Sequence, residues 1–252
     1  MDSGTYAAAS GGLYQIRRLD AVANNLANVS TTGFKKEVLS GQAQTFDETL
    51  AAAASPGDPF AAQDHERVTP VTHVASVTDF SPGSLMRTGN PLNVALRGIN
   101  QFFSINTPNG IRYTRAGDFT LSADGRLVTS EGFEVVGDSG PIVTTGADAE
   151  ISASGQVTSG RIPVGAIRVV AVNDLNQLVP EGAARFNLSG TGSATPVEPD
   201  LMTQTVEGAN VSVVSGMVEL IAAHRAFEAY TKITQSIDQM NEGAINQVSR
   251  SK

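Results

Sequence analysis

Metal or acid–base chemistry would most readily come from the three histidines. His65, His73 and His224 are scattered along a chain of 252 residues. None has a second ligand three or four positions away, the spacing that places two donors on one helix face. Asp118, Thr120, Ser122, Asp124 and Gly125 outline a faint calcium loop. The bidentate Glu that closes such a loop is missing, and Asp-Gly between two apolar runs is a hairpin signal instead. Asn28-Val29-Ser30, Asn187-Leu188-Ser189 and Asn210-Val211-Ser212 are formal glycosylation sequons. Two of them fall at the ends of predicted helices, where capping accounts for these residue types without sugar. The chain has no nucleophile elbow, phosphate loop, dinucleotide fingerprint or HExxH helix. Its carboxylates are spread through loops, so paired acid–base chemistry has no support. The expectation is no enzyme, no cofactor, no metal and no small-molecule substrate.

Composition narrows the remaining classes. There is no cysteine, hence no disulfide framework and no thiolate site. A net charge of −8 argues against nucleic acid, whose phosphates require a basic surface. Nothing approaches the run of about eighteen apolar residues that crosses a membrane. Arg17 and Arg18 interrupt the N-terminal apolar run, so no cleaved secretory signal is expected.

Proline marks the boundaries. All 11 prolines lie between Pro56 and Pro199, and proline inside a helix costs about 3 kcal/mol, so long helices belong to the two ends. Residues 1–45 carry four basic and three acidic side chains and residues 206–252 carry four and five, so the ends cancel and the middle bears the whole −8. The N-terminal helix has a seam of Leu13, Ile16, Leu19, Val22, Leu26 and Val29 at steps of three and four. Its other face carries Asn24, Asn25 and Asn28 among alanines where a solvated helix would carry Glu and Lys, a composition that suits close packing against other backbones. Gly33 can take the left-handed conformation that ends a helix, with Phe34 packing back on the last turn. From Val206 the chain turns helical again, with Ser212 or Ser215 as N-cap. Met217, Leu220, His224, Phe227, Ile233, Ile237, Met240, Ala244 and Val248 lie near heptad spacing, with Tyr230 beside the seam. Such a helix spans on the order of 50 Å, too long for one small domain to cover.

Between the ends, Leu50–Ala54 reads as a short helix, Ser55–Asp58-Pro59 as an exposed loop, and Val68–Val77 as extended. The middle is β: Leu92–Arg97, Gln101–Ile105, a Pro108-Asn109-Gly110 hairpin into Ile111–Arg115, and a second hairpin from Phe119–Ser122 through Asp124-Gly125 to Leu127–Thr129. Leu121-Ser122-Ala123-Asp124-Gly125-Arg126-Leu127 is echoed 30 positions on by Ile151-Ser152-Ala153-Ser154-Gly155-Gln156-Val157, which predicts a repeated hairpin. Ile167–Val172 is the most apolar strand and the expected centre of the core.

The run from Ala23 to Lys35, Ala-Asn-Asn-Leu-Ala-Asn-Val-Ser-Thr-Thr-Gly-Phe-Lys, resembles the N-terminal signature of the bacterial flagellar rod and hook proteins, the axial components of the basal body. Leu92–Gly98 with Phe102-Phe103 and Tyr113–Phe119 are similar to that family's β-domain opening, with Ile99-Asn100 departing from the usual spacing. Val206–Val213 with Arg225–Glu228 resembles its C-terminal signature, with Ser212 where an Asn is common. The expected class is therefore α+β, with a discontinuous helical coiled-coil domain flanking a central all-β domain. Its parts are residues 1–45 and 206–252, the pairing helical ends, 46–90, a connector, and 91–205, the β domain.

The resemblance implies a structural subunit that polymerises into the rod, most like the proximal-rod members, with distal rod and hook as alternatives. It implies self-association, contact with other rod proteins and the flagellar type III export apparatus, and a place in the rod crossing the periplasm. The assembly interface is expected at Leu19, Asn24, Asn25, Leu26, Asn28, Val29, Gly33 and Phe34, and at Met217, Leu220, His224, Phe227, Ile233, Ile237 and Met240. A rival class is a secreted or surface β protein with helical stalk ends.

Overall fold

The computed structural model describes residues 3–45, 70–144, 148–182, 184–190 and 192–250. The expected helix at Leu50–Ala54 and loop at Ser55–Pro59 lie outside the described residues. The architecture is α+β: an N-terminal helix, a central antiparallel β region and a C-terminal helix. The chain divides into two compact units, one of Met1–Asn24, Glu37–Val77 and Val213–Lys252, the other of Asn25–Lys36 and Thr78–Ser212.

The first unit holds most of helix α1 (Ser3–Ala27), a two-stranded ribbon of β1 (Glu37–Thr45) and β2 (Pro70–Thr78), and helix α2 (Val213–Arg250). β2 covers most of the segment expected to be extended, whereas β1 has no apolar alternation that would announce it. At 38 residues α2 is about 57 Å long. It begins at Val213 and not at Val206, because Thr205–Glu207 are a strand. Ser212 stands immediately before its first residue. α1 stops at Ala27, short of Val29 and Gly33. Beyond it Asn28, Ser30, Thr31 and Thr32 offer side chains that compete for backbone hydrogen bonds, and the chain breaks into turns. Thr31 N–H donates to Asn28 O at 3.0 Å and Thr31 Oγ1 to Asn28 Oδ1 at 3.2 Å.

The second unit is the β region. In chain order it runs β3 (Leu85–Arg87), β4 (Val94–Leu96), β5 (Gln101–Thr107), β6 (Gly110–Thr114), β7 (Thr120–Leu121), β8 (Leu127–Val128), β9 (Glu134–Gly137), β10 (Gly140–Pro141), β11 (Ala149–Ile151), β12 (Gln156–Ser159), β13 (Ile162–Ala166), β14 (Val169–Val172), β15 (Leu178–Pro180), β16 (Arg185–Leu188), β17 (Ala194–Val197), β18 (Leu201–Thr203) and β19 (Thr205–Glu207). Ten of these strands form one sheet in which β5 pairs with β6, β9 and β14. The Pro108-Asn109 turn joins β5 to β6 with Thr107 opposite Gly110, as the hairpin signal predicts.

Successive side chains of a strand point to opposite faces, and here each face has its own core. Phe103 and Val169 belong to a cluster with Phe119, Leu127, Ile151, Val157, Ile167 and Leu201. Their neighbours Phe102 and Val170 belong to a second cluster with Phe80, Val172, Leu178 and Phe186. Phe80, Phe102 and Phe186 meet with ring centroids 5.1–6.0 Å apart, edge-on or tilted. The β14 strand, expected at the centre, thus contributes to both layers.

The sequence echo is a structural one. In the β7–β8 turn, Gly125 N–H donates to Ser122 O at 2.9 Å and Ser122 N–H to Arg126 O at 2.9 Å. In the β11–β12 turn, Gly155 N–H donates to Ser152 O at 3.0 Å and Ser152 N–H to Gln156 O at 2.9 Å. Ser122 and Ser152 hydroxyls accept from Arg126 and Gln156 N–H at 3.2 and 3.1 Å. Both glycines have positive φ, +74° and +75°.

Candidate functional site

The most elaborate side-chain cluster of the β unit is a set of buried charges where the chain leaves α1 and re-enters α2. Lys35 follows the turns after α1, Arg115 follows β6, and Glu207 ends β19. Glu207 Oε1 accepts from Lys35 Nζ at 2.6 Å and Oε2 accepts from Arg115 Nε at 2.8 Å. All three residues are at least 96% buried. Lys35 Nζ also donates to Ser81 O at 2.8 Å, and Gly83 N–H donates to Glu207 Oε1 at 3.0 Å. The remaining Arg115 donors reach Gly98 O, Ile99 O and Gln101 O at 2.8–2.9 Å and Leu96 O at 3.5 Å. The Arg97–Asn100 turn is therefore bound by its carbonyls to one guanidinium.

Burial raises the Glu207 carboxyl, but Arg115, the Lys35 hydrogen bond and the Gly83 N–H outweigh it and hold the group below the usual carboxylate range. Burial lowers the Lys35 ammonium, an effect that Glu207 only partly offsets. Removing one member of such a set leaves a buried charge unpaired and costs about 3–5 kcal/mol.

The polar ties continue outward. Gly33 N–H donates to Glu207 O at 2.7 Å, and Lys36 N–H donates to Asn210 Oδ1 at 2.7 Å. The Asn210 amide donates to Asp79 O at 2.8 Å and to Ser81 O and Oγ at 3.2 and 3.1 Å. The sequon at Asn210 is thus explained by a cross-link. Gly33 has φ +70°, and a Cβ there would collide with the backbone nitrogen of Ala116. Its left-handed conformation serves this docking and not the end of α1. Phe34 beside it is buried.

The helices show two kinds of face. On α1 the buried or half-buried positions include Gly12, Gln15, Leu19, Val22 and Leu26, with Gly11, Ala21 and Asn25 beside them. From Leu19 onward this is the expected seam. In the first half it slips one residue earlier, so Leu13 and Ile16 are exposed. Gly11 lies against the Tyr230 ring of α2, where a Cβ would come within 2.5 Å of a ring carbon. On α2 the covered positions among the described side chains are Gly216, Leu220, Ala223, Ala226, Phe227, Tyr230, Thr234 and Ile237. Ala223 and Thr234 occupy places that the heptad reading gave to His224 and Ile233. His224, expected to pack, is exposed beside Glu228. Val214, Met217, Val218, Ile221, Ile233 and Met240 are likewise exposed, Val214 by 74% and Val218 by 62%.

Among the described residues no group of three or more His, Asp or Glu could hold a metal, and no helix is long and apolar enough to cross a membrane. His65 lies outside the described residues, and His73 is on β2. Asp118, from the faint calcium loop, lines a polar recess with Thr31, Ser130, Glu131 and Arg185, and burial raises its carboxyl. Lys35, Arg115 and Glu207 were not singled out from the sequence. The signal available was that Lys35 and Arg115 are the basic residues of their motifs, Ala23–Lys35 and Tyr113–Phe119.

Three family models match the chain. Residues 6–35 match the flagella basal body rod protein model, residues 96–159 the flagellar hook protein FlgE/F/G D1 domain, and residues 202–247 the C-terminal model of the flagellar basal body rod FlgEFG proteins. Each of the three buried charges falls in a different matched segment. Flagellar basal-body rod protein FlgF of Escherichia coli is 30% identical over 98% of both chains, and FlgF of Caulobacter vibrioides 29% over 99% of both. Flagellar basal-body rod protein FlgG of Agrobacterium fabrum is 31% identical, over 92% of this chain and 94% of its own. Near-complete coverage at this identity, with both terminal signatures and the β opening in place, assigns the chain to the family of bacterial flagellar basal-body rod proteins.

Proposed function

We propose that the chain is a structural subunit that polymerises into the flagellar rod, at its proximal end, through its two terminal helices. One observation carries this reading. At one point of approach between the helices, Gly11 and Gly12 lie against Tyr230. Several larger aliphatic side chains, Leu13 and Ile16 on α1 and Val214, Met217, Val218 and Ile221 on α2, are left in solvent. Covering such surface is worth about 25 cal/mol per Å² before ordering costs, and copies of the same chain are the partner that the family points to. The expected interface residues Met217, His224, Ile233 and Met240 are exposed and available for it, while Leu26 and Phe227 are half-buried. We further infer a non-catalytic role, contact with neighbouring rod proteins, and export by the flagellar apparatus without a cleaved signal.

The proximal position is favoured by the FlgF relatives, which the chain matches from end to end, 98–99% of both lengths. Immunogold labelling of purified basal bodies tests it. Label at the inner end of the rod is the expected result. Label at the outer end would move the chain to the distal rod, and basal bodies free of label beside labelled intact cells would restore the stalked-binding reading. Leu26→Asp and Phe227→Asp are expected to abolish incorporation, and Phe227→Asp, which lies outside the β unit, to leave that unit's melting in place; incorporation at normal levels would remove the helices from the assembly surface.

A further inference from the structure

We propose that Lys35, Arg115 and Glu207 are positioning residues for assembly, a buried clasp that orders the segment leaving α1 and the segment entering α2 before a second copy is met. The proposal rests on the self-assembly reading above. Residues 33–36 and 207–210 are joined by three polar links: Gly33 N–H to Glu207 O at 2.7 Å, Lys35 to Glu207 at 2.6 Å and Lys36 N–H to Asn210 at 2.7 Å. Such links are directional. They fix where each backbone lies, whereas apolar contacts of equal strength would let the segments slide. Arg115 adds the third anchor, since its guanidinium binds Glu207 on one side and the carbonyls of residues 98, 99 and 101 on the other.

A role resting on charge has a pH signature that packing alone lacks. Glu207 faces Arg115, Lys35 and the Gly83 N–H, with the Lys36–Asp79 pair nearby at 3.2 Å. Its folded carboxyl titrates below the unfolded value, so its contribution is complete above the ordinary carboxylate range and is lost as pH falls through the folded value. Asp79 is also held low, chiefly by the Ser81 N–H, and its acid response must be separated from that of Glu207.

Hydrogen exchange of the full chain, read as protection factors from neutral pH to below the carboxylate range, makes that separation. In the wild-type chain peptides 30–36 and 205–212 should be protected at neutral pH and open together on acidification, ahead of 101–107. Glu207→Gln should lower their neutral-pH protection by about two to four orders of magnitude, abolish the acid step, leave 101–107 protected and reduce entry into rods. If 101–107 opens as well, Lys35→Met, which keeps the Arg115–Glu207 pair, carries the test through peptide 30–36. Protection and acid response like wild type in Glu207→Gln, or in Lys35→Met where that variant carries the test, would overturn the clasp. Open connectors with normal rod entry would overturn its role in assembly. Failure of the wild-type chain itself to enter rods would instead count against the reading beneath it.

Discussion

Gly33 combines two demands that only a residue without Cβ meets: a φ of +70° and a backbone seated on Ala116. A left-handed non-glycine residue costs about 1–3 kcal/mol, and here the collision is with main chain, which cannot rotate away. Gly33→Ala is therefore expected to destabilise the β unit by about 2 kcal/mol or more, lowering its melting temperature by roughly 4–8 °C. A thermal melt unchanged from wild type would show that the turn relaxes freely. At this scale the sequence was partly legible. The left-handed glycine was readable from its place in a polar run, but its purpose was not, because Ala116 and Glu207 approach it only in the folded chain. The buried charges were illegible for a related reason. Charged residues are solvated unless paired, and the pairing brings together positions as much as 172 residues apart.

The helices and hairpins differ in how far local sequence decides them. Pro108-Asn109-Gly110 and the two Ser-x-x-Gly turns carry their own backbone preferences, so the hairpins appear where the residues place them. β1 had no such mark and exists through its pairing with β2. The helical seams were read by choosing the larger apolar residue at each step. That choice holds from Leu19 onward and fails where close approach puts small residues inward, at Gly11, Gly12 and Ala223. The tight place can be tested by filling it. Gly11→Leu should push the Tyr230 ring aside at an overpacking cost of about 1–3 kcal/mol, seen as faster proteolysis within α1 and lower helical ellipticity. Retention of wild-type protection would mean that the ring and the glycine do not set the pairing.

For the whole molecule, the charge lies in the middle: the two helical ends together are neutral, and residues 46–205, connector and β domain together, carry the full −8. Polymerisation through neutral ends avoids bringing like charges into the contact, and this makes an added charge there a sharp probe. Val218 is 62% exposed in the lone chain, and surface substitutions of this kind usually alter stability by no more than about 0.5 kcal/mol. Val218→Glu should leave the melt of the isolated chain unchanged and prevent incorporation into rods. Unimpaired incorporation would take this face of α2 out of the interface.

The Lys35–Glu207 pair also has a topological meaning. It brings together the start and finish of an excursion spanning 172 residues, so the β portion is a closed loop of chain whose two ends are knotted at one point. Such a loop can change size without altering its fastening, because lengthening it far from the knot adds closure entropy only logarithmically, about 0.6 kcal/mol per doubling. Insertions at outlying turns such as Pro108-Asn109, or exchange of the whole β portion for another whose ends meet at the same span, should leave the fastening intact.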